Sequence, residues 1–317
     1  MRVLVTGGSG FIGLPTVRKL LGKNHEVTVI SRNPKIDDPD ISGRVTASSC
    51  DMRVFSDVMK VINTAAPDII IHSAYALTAA GEADPYWAIQ VNVLGSNNIF
   101  EAARLAGIKR VVFGSSIAVY APQDVYGERY VDEQEPLLKS ASIYGQTKAL
   151  NEFMASKFET KYGMELPCLR ISPVYGTGRA DRGGVTAWTS EMIASVVAGK
   201  PAKIPLRSDQ QADFIYVEDV AEQFVRLAEA ETLGHTVYNT GGILSTPADF
   251  ARVVKKYYPE AEISFNENAP RWPYPHLVDG RRLAGEINFQ PSGIEQCLLD
   301  QINMERRKQG MDPLAPK

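Results

Sequence analysis

The chain has 317 residues and a mass of 34.8 kDa, with 44% hydrophobic and 22% charged residues, enough apolar material for the cores of roughly two domains of about 150 residues. Lys and Arg number 34 against 37 Asp and Glu, a net charge of −3, and a weakly acidic chain with no basic run offers no electrostatic footprint for a nucleic acid. No apolar stretch approaches the ~18 residues that a membrane span requires, so no membrane partner is expected either.

The first predicted strand, residues 2–5, runs straight into Thr6-Gly7-Gly8-Ser9-Gly10-Phe11-Ile12-Gly13, and a helix is predicted over 11–21. No basic region, apolar core and cleavage site precede that strand, so no signal peptide is expected. Glycine lets the backbone turn tightly and approach a pyrophosphate, whose charge then rests on the helix N-terminus. A glycine triplet alone is weak evidence, but its strand–loop–helix setting reads as a dinucleotide-binding loop. The second strand, 26–30, ends Val29-Ile30-Ser31-Arg32-Asn33-Pro34. No carboxylate stands where one would bond the ribose 2′-hydroxyl of NAD. Ser31 can donate to a phosphate, and Arg32 can pair with it or stack on adenine. NADP is therefore expected in preference to NAD.

Further strands are predicted at 45–48, 69–72, 110–113 and 165–171, with helices near 54–64, 85–106 and 142–162. Val- and Ile-rich strands without polar alternation suit a sheet covered on both faces. Their alternation with helices predicts an α/β fold, a doubly wound parallel sheet. Past Ser172 the rhythm changes: Gly, Pro and Arg cluster at 173–184, and a second Pro-containing stretch runs over 268–275. Segments 213–217 and 237–239 read as strands returning to the sheet, and the remainder as a smaller, mostly helical C-terminal substrate domain. The expected division is 1–172 with 208–241 for the dinucleotide and 173–207 with 242–317 for the substrate. The tail 306–317 reads as loosely held.

Cys50, Cys168 and Cys297 are scattered and odd in number. They read as reduced, buried thiols of a cytoplasmic protein, not as a disulfide or zinc framework. The histidines lie far apart, so no metal site is expected.

Tyr144-Gly-Gln-Thr-Lys148 sets a phenol and an ammonium at i and i+4, on one face of the helix over 142–162. A free phenol titrates near 10, too high for a base at neutral pH; a cation held close stabilises the phenolate. Alone, this spacing usually marks a solvated helix face. Val111-Val112-Phe113-Gly114-Ser115-Ser116 adds hydroxyls just past a strand end, where α/β sheets bind ligands. Ser116 is placed to hold a substrate oxygen against Tyr144, whereas a turn cap is the better reading of Ser115. His72 reads as packed beside the cofactor. Tyr75, Thr78 and Trp188 are candidate pocket-lining residues, with interdomain packing as the alternative for the aromatics.

With these motifs together, the chain resembles the extended short-chain dehydrogenase/reductases, also called the NAD-dependent epimerase/dehydratase family. The resemblance runs through Thr6 to Gly13, Cys50-Asp51-Met52, Ile71-His72-Ser73-Ala74, Asn92-Val93-Leu94-Gly95-Ser96, Ser115 to Tyr120, Tyr144 to Lys148, Leu169-Arg170 with Val174-Tyr175-Gly176, and Asp213 to Val220. It implies a Rossmann domain with a catalytic triad at Ser116, Tyr144 and Lys148. It also implies Gly7, Gly10, Phe11, Ile12 and Gly13 at the phosphates, and Asp51 and Met52 flanking adenine. Ser73, Ala74 and Tyr75 would adjoin the nicotinamide ribose, Asn92 would support the site, and Ser172 would complete the cofactor set. Such proteins often form homodimers by pairing the helices near 85–106 and 142–162 into a four-helix bundle.

Two departures narrow the substrate. Relatives acting on nucleotide-sugars commonly carry Asn where this chain has Pro173, and Arg where it has Ala212, just before Asp-Phe-Ile-Tyr-Val. A diphosphate without that guanidinium loses a contact of roughly 1.5–3 kcal/mol. Arg179, Arg182, Arg207 and Arg271 are the candidate substitutes, each more simply read as a solvated loop charge. Ile117-Ala118 stands where a 4,6-dehydratase carries Asp-Glu. The expected activity is hydride transfer between NADP or NAD and one secondary alcohol or ketone of a small polyol, sugar or sugar-acid-like substrate. The alternatives are a 4-epimerase with tightly bound NAD and a non-catalytic cofactor-binding scaffold, against which the intact triad argues.

Overall fold

The computed structural model describes residues 1–33, 36, 38–135, 140–180 and 183–317. Strand β1 (Arg2–Thr6) leads into α1 (Gly13–Gly22), then β2 (Glu26–Ser31), β3 (Thr46–Ser49), α2 (Phe55–Ala65) and β4 (Ile69–His72). Next come α3 (Thr78–Ala83), α4 (Pro85–Ile89), a π-helical turn over Gln90–Gly95, α5 (Ser96–Leu105), β5 (Arg110–Ser116), α6 (Ile143–Tyr162) and β6 (Cys168–Ile171). The rest follows as β7 (Val174–Tyr175), α7 (Ala187–Val197), β8 (Ala202–Ile204), β9 (Ala212–Tyr216), α8 (Val217–Glu229), β10 (Val237–Asn239), β11 (Ile243–Ser245), α9 (Pro247–Tyr257), β12 (Ile263–Phe265), α10 (Arg281–Ile287) and α11 (Ile294–Lys308).

Seven strands make one parallel sheet in the order β10-β6-β5-β4-β1-β2-β3. The chain winds outward from β1 to β3, then restarts at β4 on the other side. That reversal opens a crevice between the ends of β1 and β4, the place where such sheets receive ligands. The central strands β1, β4 and β5 are largely apolar because both faces are covered, whereas the edge strand β3 is polar and mostly exposed. Val3, Val5, Ile71 and Val112 point into the core shared with α1 and α8. Leu4, Ile70, Val111 and Phe113 point into the one shared with α2, α5 and α6. Each such side chain contributes about 1.5–3 kcal/mol by leaving water.

Three expectations differ from the structure. Of the two segments expected to return to the sheet, only 237–239 does; β9 pairs with β7 and, antiparallel, with β11 in a separate small sheet. The helix expected over 85–106 is interrupted by the π turn. Asn92 there bonds the backbone N–H and C=O of Ala76, and its own carbonyl accepts from Asn151 Nδ2 at 2.6 Å, so side-chain partners replace the α-helical ladder. The C-terminal tail is tied down: Leu314 N–H donates to Asn303, and Lys317 Nζ donates to the Lys256 carbonyl.

Candidate active site

At the end of β1 the chain turns back on itself. Gly7 sits at φ +68°, where a side chain is strained, and its N–H donates to the Ile30 carbonyl. Gly10 N–H donates to the Gly7 carbonyl at 2.8 Å, and a Cβ on Gly13 would lie 2.1 Å from that same oxygen. The loop can close this tightly only with glycine there. The groove above it measures about 390 Å³, and Gly7, Gly10, Phe11, Ile12 and Gly13 line its floor. Ser31, Arg32, Asp51 and Met52 line one end, and Ser73, Ala74 and Tyr75 line the other.

This groove fits a dinucleotide on its own chemistry. Among the described residues the buried Ser31 hydroxyl has no hydrogen-bond partner, a donor of the kind that a ligand satisfies. Arg32 lies 5.8 Å over the Trp87 ring. Arg53, which the sequence reading missed, grips Asp51 through Nε and Nη2 at 3.0 and 2.6 Å. That hydrogen-bonded guanidinium holds the Asp51 carboxyl below its ordinary range, with Arg32 adding to the effect against burial. Trp87, Leu77 and Val91 also line the groove unanticipated; apolar spacing in a helix gives no sign of which face meets a ligand.

The wall at Ser73 is fixed from behind. Thr6 Oγ1 accepts from Ala74 N–H and bonds His72 Nδ1 at 2.7 Å, while His72 Nε2 meets Ser96 Oγ. Burial drives the His72 imidazole down to about 3, so it stays neutral and holds the loop.

A second cavity of about 570 Å³ adjoins the groove and shares Ile12, Tyr75, Leu77 and Arg179 with it. Ser116, Tyr144, Thr78, Ser172 and Pro173 line it. Burial holds the Tyr144 phenol well above the ordinary value, Tyr75 adds to that, and the neighbouring Ser116 hydroxyl pulls it back. Ser116 Oγ accepts from Ala118 N–H. The turn cap is thus Ser116 itself, while Ser115 donates to the Glu152 carboxylate.

Lys148 lies beneath this floor. Its Nζ donates to the Gly114 carbonyl and faces the Tyr75 and Phe113 rings at 4.5 and 4.6 Å. Burial pulls the ammonium down to about 7, with Cys168 and Glu152 pushing back. Glu152 pairs with Arg170 at 2.7 Å, and Arg170 Nη1 donates to Tyr120 Oη at 2.6 Å, a buried frame that sets β6 against α6.

Other sequence candidates lie elsewhere. Trp188 is packed against Phe250 and Phe214, ring centroids 5.3 and 6.1 Å away, inside the core and outside the cavity. Asn92 does not line the groove; it pins Ala76 from α6's side. Ser172 lines the second cavity, not the groove, and donates to Asp213. Arg207 and Arg271 are paired with Asp209 at the surface, and Arg182 lies outside the described residues. Arg179, read from sequence as a solvated charge, is 8% exposed and reaches both cavities. A loop arginine's burial depends on contacts such as those of Arg179 with the Phe11 ring and Thr186, which no local pattern encodes.

The profile of the NAD dependent epimerase/dehydratase family matches residues 3–241, and the chain belongs to that family. It is 26% identical over 275 residues to the mitochondrial L-threonine 3-dehydrogenase of Bos taurus, covering 85% of this chain and 72% of the relative. It is 32% identical over 238 residues to the UDP-glucose 4-epimerase of Mycolicibacterium smegmatis, covering 71% of this chain and 72% of the relative. Among solved structures, L-threonine 3-dehydrogenase from Trypanosoma brucei superposes with a TM-score of 0.88 at 22% identity over 99% of both chains. The chain is thus an oxidoreductase or epimerase of an NAD-dependent family, on the expected fold. Among the described residues no helix is long and apolar enough to cross a membrane.

Proposed function

We propose that the chain is an NAD(P)-dependent dehydrogenase of a small secondary alcohol, with NADP preferred. One observation carries it: Ser116 and Tyr144 line one cavity, and that cavity shares a wall with the glycine-loop groove. A nicotinamide dinucleotide, when bound, supplies the hydride acceptor or donor. Gly7, Gly10 and Gly13 would hold its pyrophosphate, and Ser73 to Tyr75 the nicotinamide end. Ser116 donates to the substrate oxygen. Tyr144 takes the hydroxyl proton during oxidation and returns it during reduction. Lys148, under the Tyr144 and Tyr75 rings, favours the phenolate when it is protonated.

The Ser31 hydroxyl, without a partner among the described residues and lining the groove with Arg32 and Arg53, supports a 2′-phosphate at the adenosine end, with Asp51 already neutralised by Arg53. Residues 1–172 with 208–241 would carry the dinucleotide, and 173–207 with 242–317 the substrate. The exposed apolar side chains Tyr86, Ile89, Leu150 and Phe153 on α4 and α6 support a homodimer. Three buried free cysteines suit the cytoplasm.

Denaturing the purified protein and identifying any released nucleotide, then titrating NADPH and NADH, tests the reading. Loose binding with NADPH favoured is the expected outcome, and Arg32→Ser should weaken NADPH at least tenfold while NADH moves less than threefold. Stoichiometric NAD surviving purification would overturn both the NADP preference and the dehydrogenase reading, in favour of an epimerase.

A further inference from the structure

Among the described residues lining the second cavity, one carries a full charge, and it is not part of the triad. Arg179 is 8% exposed, and its guanidinium lies 4.7 Å over the Phe11 ring. Its Nε donates to Thr186 Oγ1 at 3.0 Å, and Thr186 donates in turn to the Val174 carbonyl. Gly184, at φ +99°, leaves the space that Nη2 fills: a Cβ there would lie 2.3 Å from it. The side chain is therefore built into place, not lying loosely on a loop. Among the described residues no carboxylate forms an ion pair with it, and none of those lining the cavity is Asp or Glu.

A buried guanidinium without a counter-ion is costly. Charges leave water only when something pairs with them, and here burial does pull the Arg179 guanidinium down from its ordinary value, while Tyr75 and Tyr144 oppose the shift. Among the described residues none supplies that partner, and a ligand can. We infer that Arg179 receives a carboxylate of the substrate, so that the substrate is a small hydroxy acid, its carboxylate on Arg179 and its carbinol oxygen between Ser116 and Tyr144. This rests on the dehydrogenase reading and specifies its substrate class. The position fits, because Arg179 and Tyr144 line the same cavity and sense each other's charge. Guanidinium and carboxylate form a paired, charge-assisted contact, and with one end so anchored the carbinol carbon presents one face to the groove. Arg179 also lines the groove itself, so the same cation could serve the dinucleotide's pyrophosphate; the experiment separates the two anions.

The test compares lactate and 3-hydroxybutyrate with their uncharged amides, on wild type, Arg179→Gln and Arg179→Lys. Binding is read first on the enzyme–NADPH complex by fluorescence, a combination in which a hydroxy acid cannot react. Wild type should bind at least one of the acids tenfold or more tighter than its amide. Arg179→Gln should erase that preference, Arg179→Lys should keep part of it, and NADPH affinity should stay within twofold in both. Equal binding of acid and amide by wild type overturns the inference. So does a fall in NADPH affinity in Arg179→Gln as large as the loss of the acid, which would assign the guanidinium to the pyrophosphate. Turnover is read separately: if acid-selective binding depends on Arg179 but no acid is oxidised with NADP or NAD, carboxylate recognition holds and the dehydrogenase reading fails. Thermal melts of the variants establish that each is folded.

Discussion

Tyr144 is buried with its phenol held above the ordinary value, and the nearest relief comes from the Ser116 hydroxyl. Oxidation needs the phenolate and reduction the phenol, so the oxidation rate should climb through the alkaline range while reduction fades there. Tyr144→Phe should lower kcat about 10²–10⁴-fold in both directions, with nucleotide affinity unchanged in a fluorescence titration. Asp213 poses a different test. Burial pushes its carboxyl up to about 6, with hydrogen bonds from the Ser172 hydroxyl and the Gly242 N–H opposing. A folded value raised above the unfolded one means that the native state keeps a proton which the unfolded chain gives up. The associated stability is complete below about pH 4 and disappears as pH rises through 6. Asp213→Asn should therefore gain on wild type between pH 4.5 and 7.5, by up to about 3 kcal/mol in urea denaturation. Of the site's residues, those defined by short-range spacing were legible: Gly7 to Gly13, Ser116, and Tyr144 with Lys148. Arg53, Trp87 and Arg179 were not, because each reaches the cavities only through the packing of distant segments.

At the level of elements, the glycine loop is the most exacting. Gly13→Ala puts a methyl 2.1 Å from the Gly7 carbonyl, and the backbone must give way. We expect at least a tenfold loss of nucleotide affinity by titration, and about 1–3 kcal/mol of stability. Strands β1, β2, β4 and β5 were readable because apolar runs between loop signals have one fate in a sheet covered on both sides. The π turn over Gln90–Gly95 was not. Its residues carry an ordinary helical pattern, and only Ala76 and Asn151, brought in from elsewhere, make the irregular carbonyl of Asn92 affordable. Likewise Ala212–Tyr216 has the composition of an inner strand, and its diversion to β11 depends on a partner thirty residues later.

For the whole molecule, the outer face of α4 and α6 leaves Tyr86 75% and Phe153 56% exposed, large apolar areas that a monomer seldom presents together. Phe153→Asp should convert the proposed dimer to a monomer in sedimentation, with an unchanged far-ultraviolet spectrum. The partition shared by the two cavities has a further consequence. Ile12, Tyr75, Leu77 and Arg179 belong to both, so whichever ligand orders them lowers the entropy that the other must lose. Linkage makes such coupling reciprocal: nucleotide should tighten substrate binding by the same factor by which substrate tightens nucleotide. In steady-state terms this favours turnover through a ternary complex, and double-reciprocal plots of rate against nucleotide at several substrate concentrations should intersect and not run parallel.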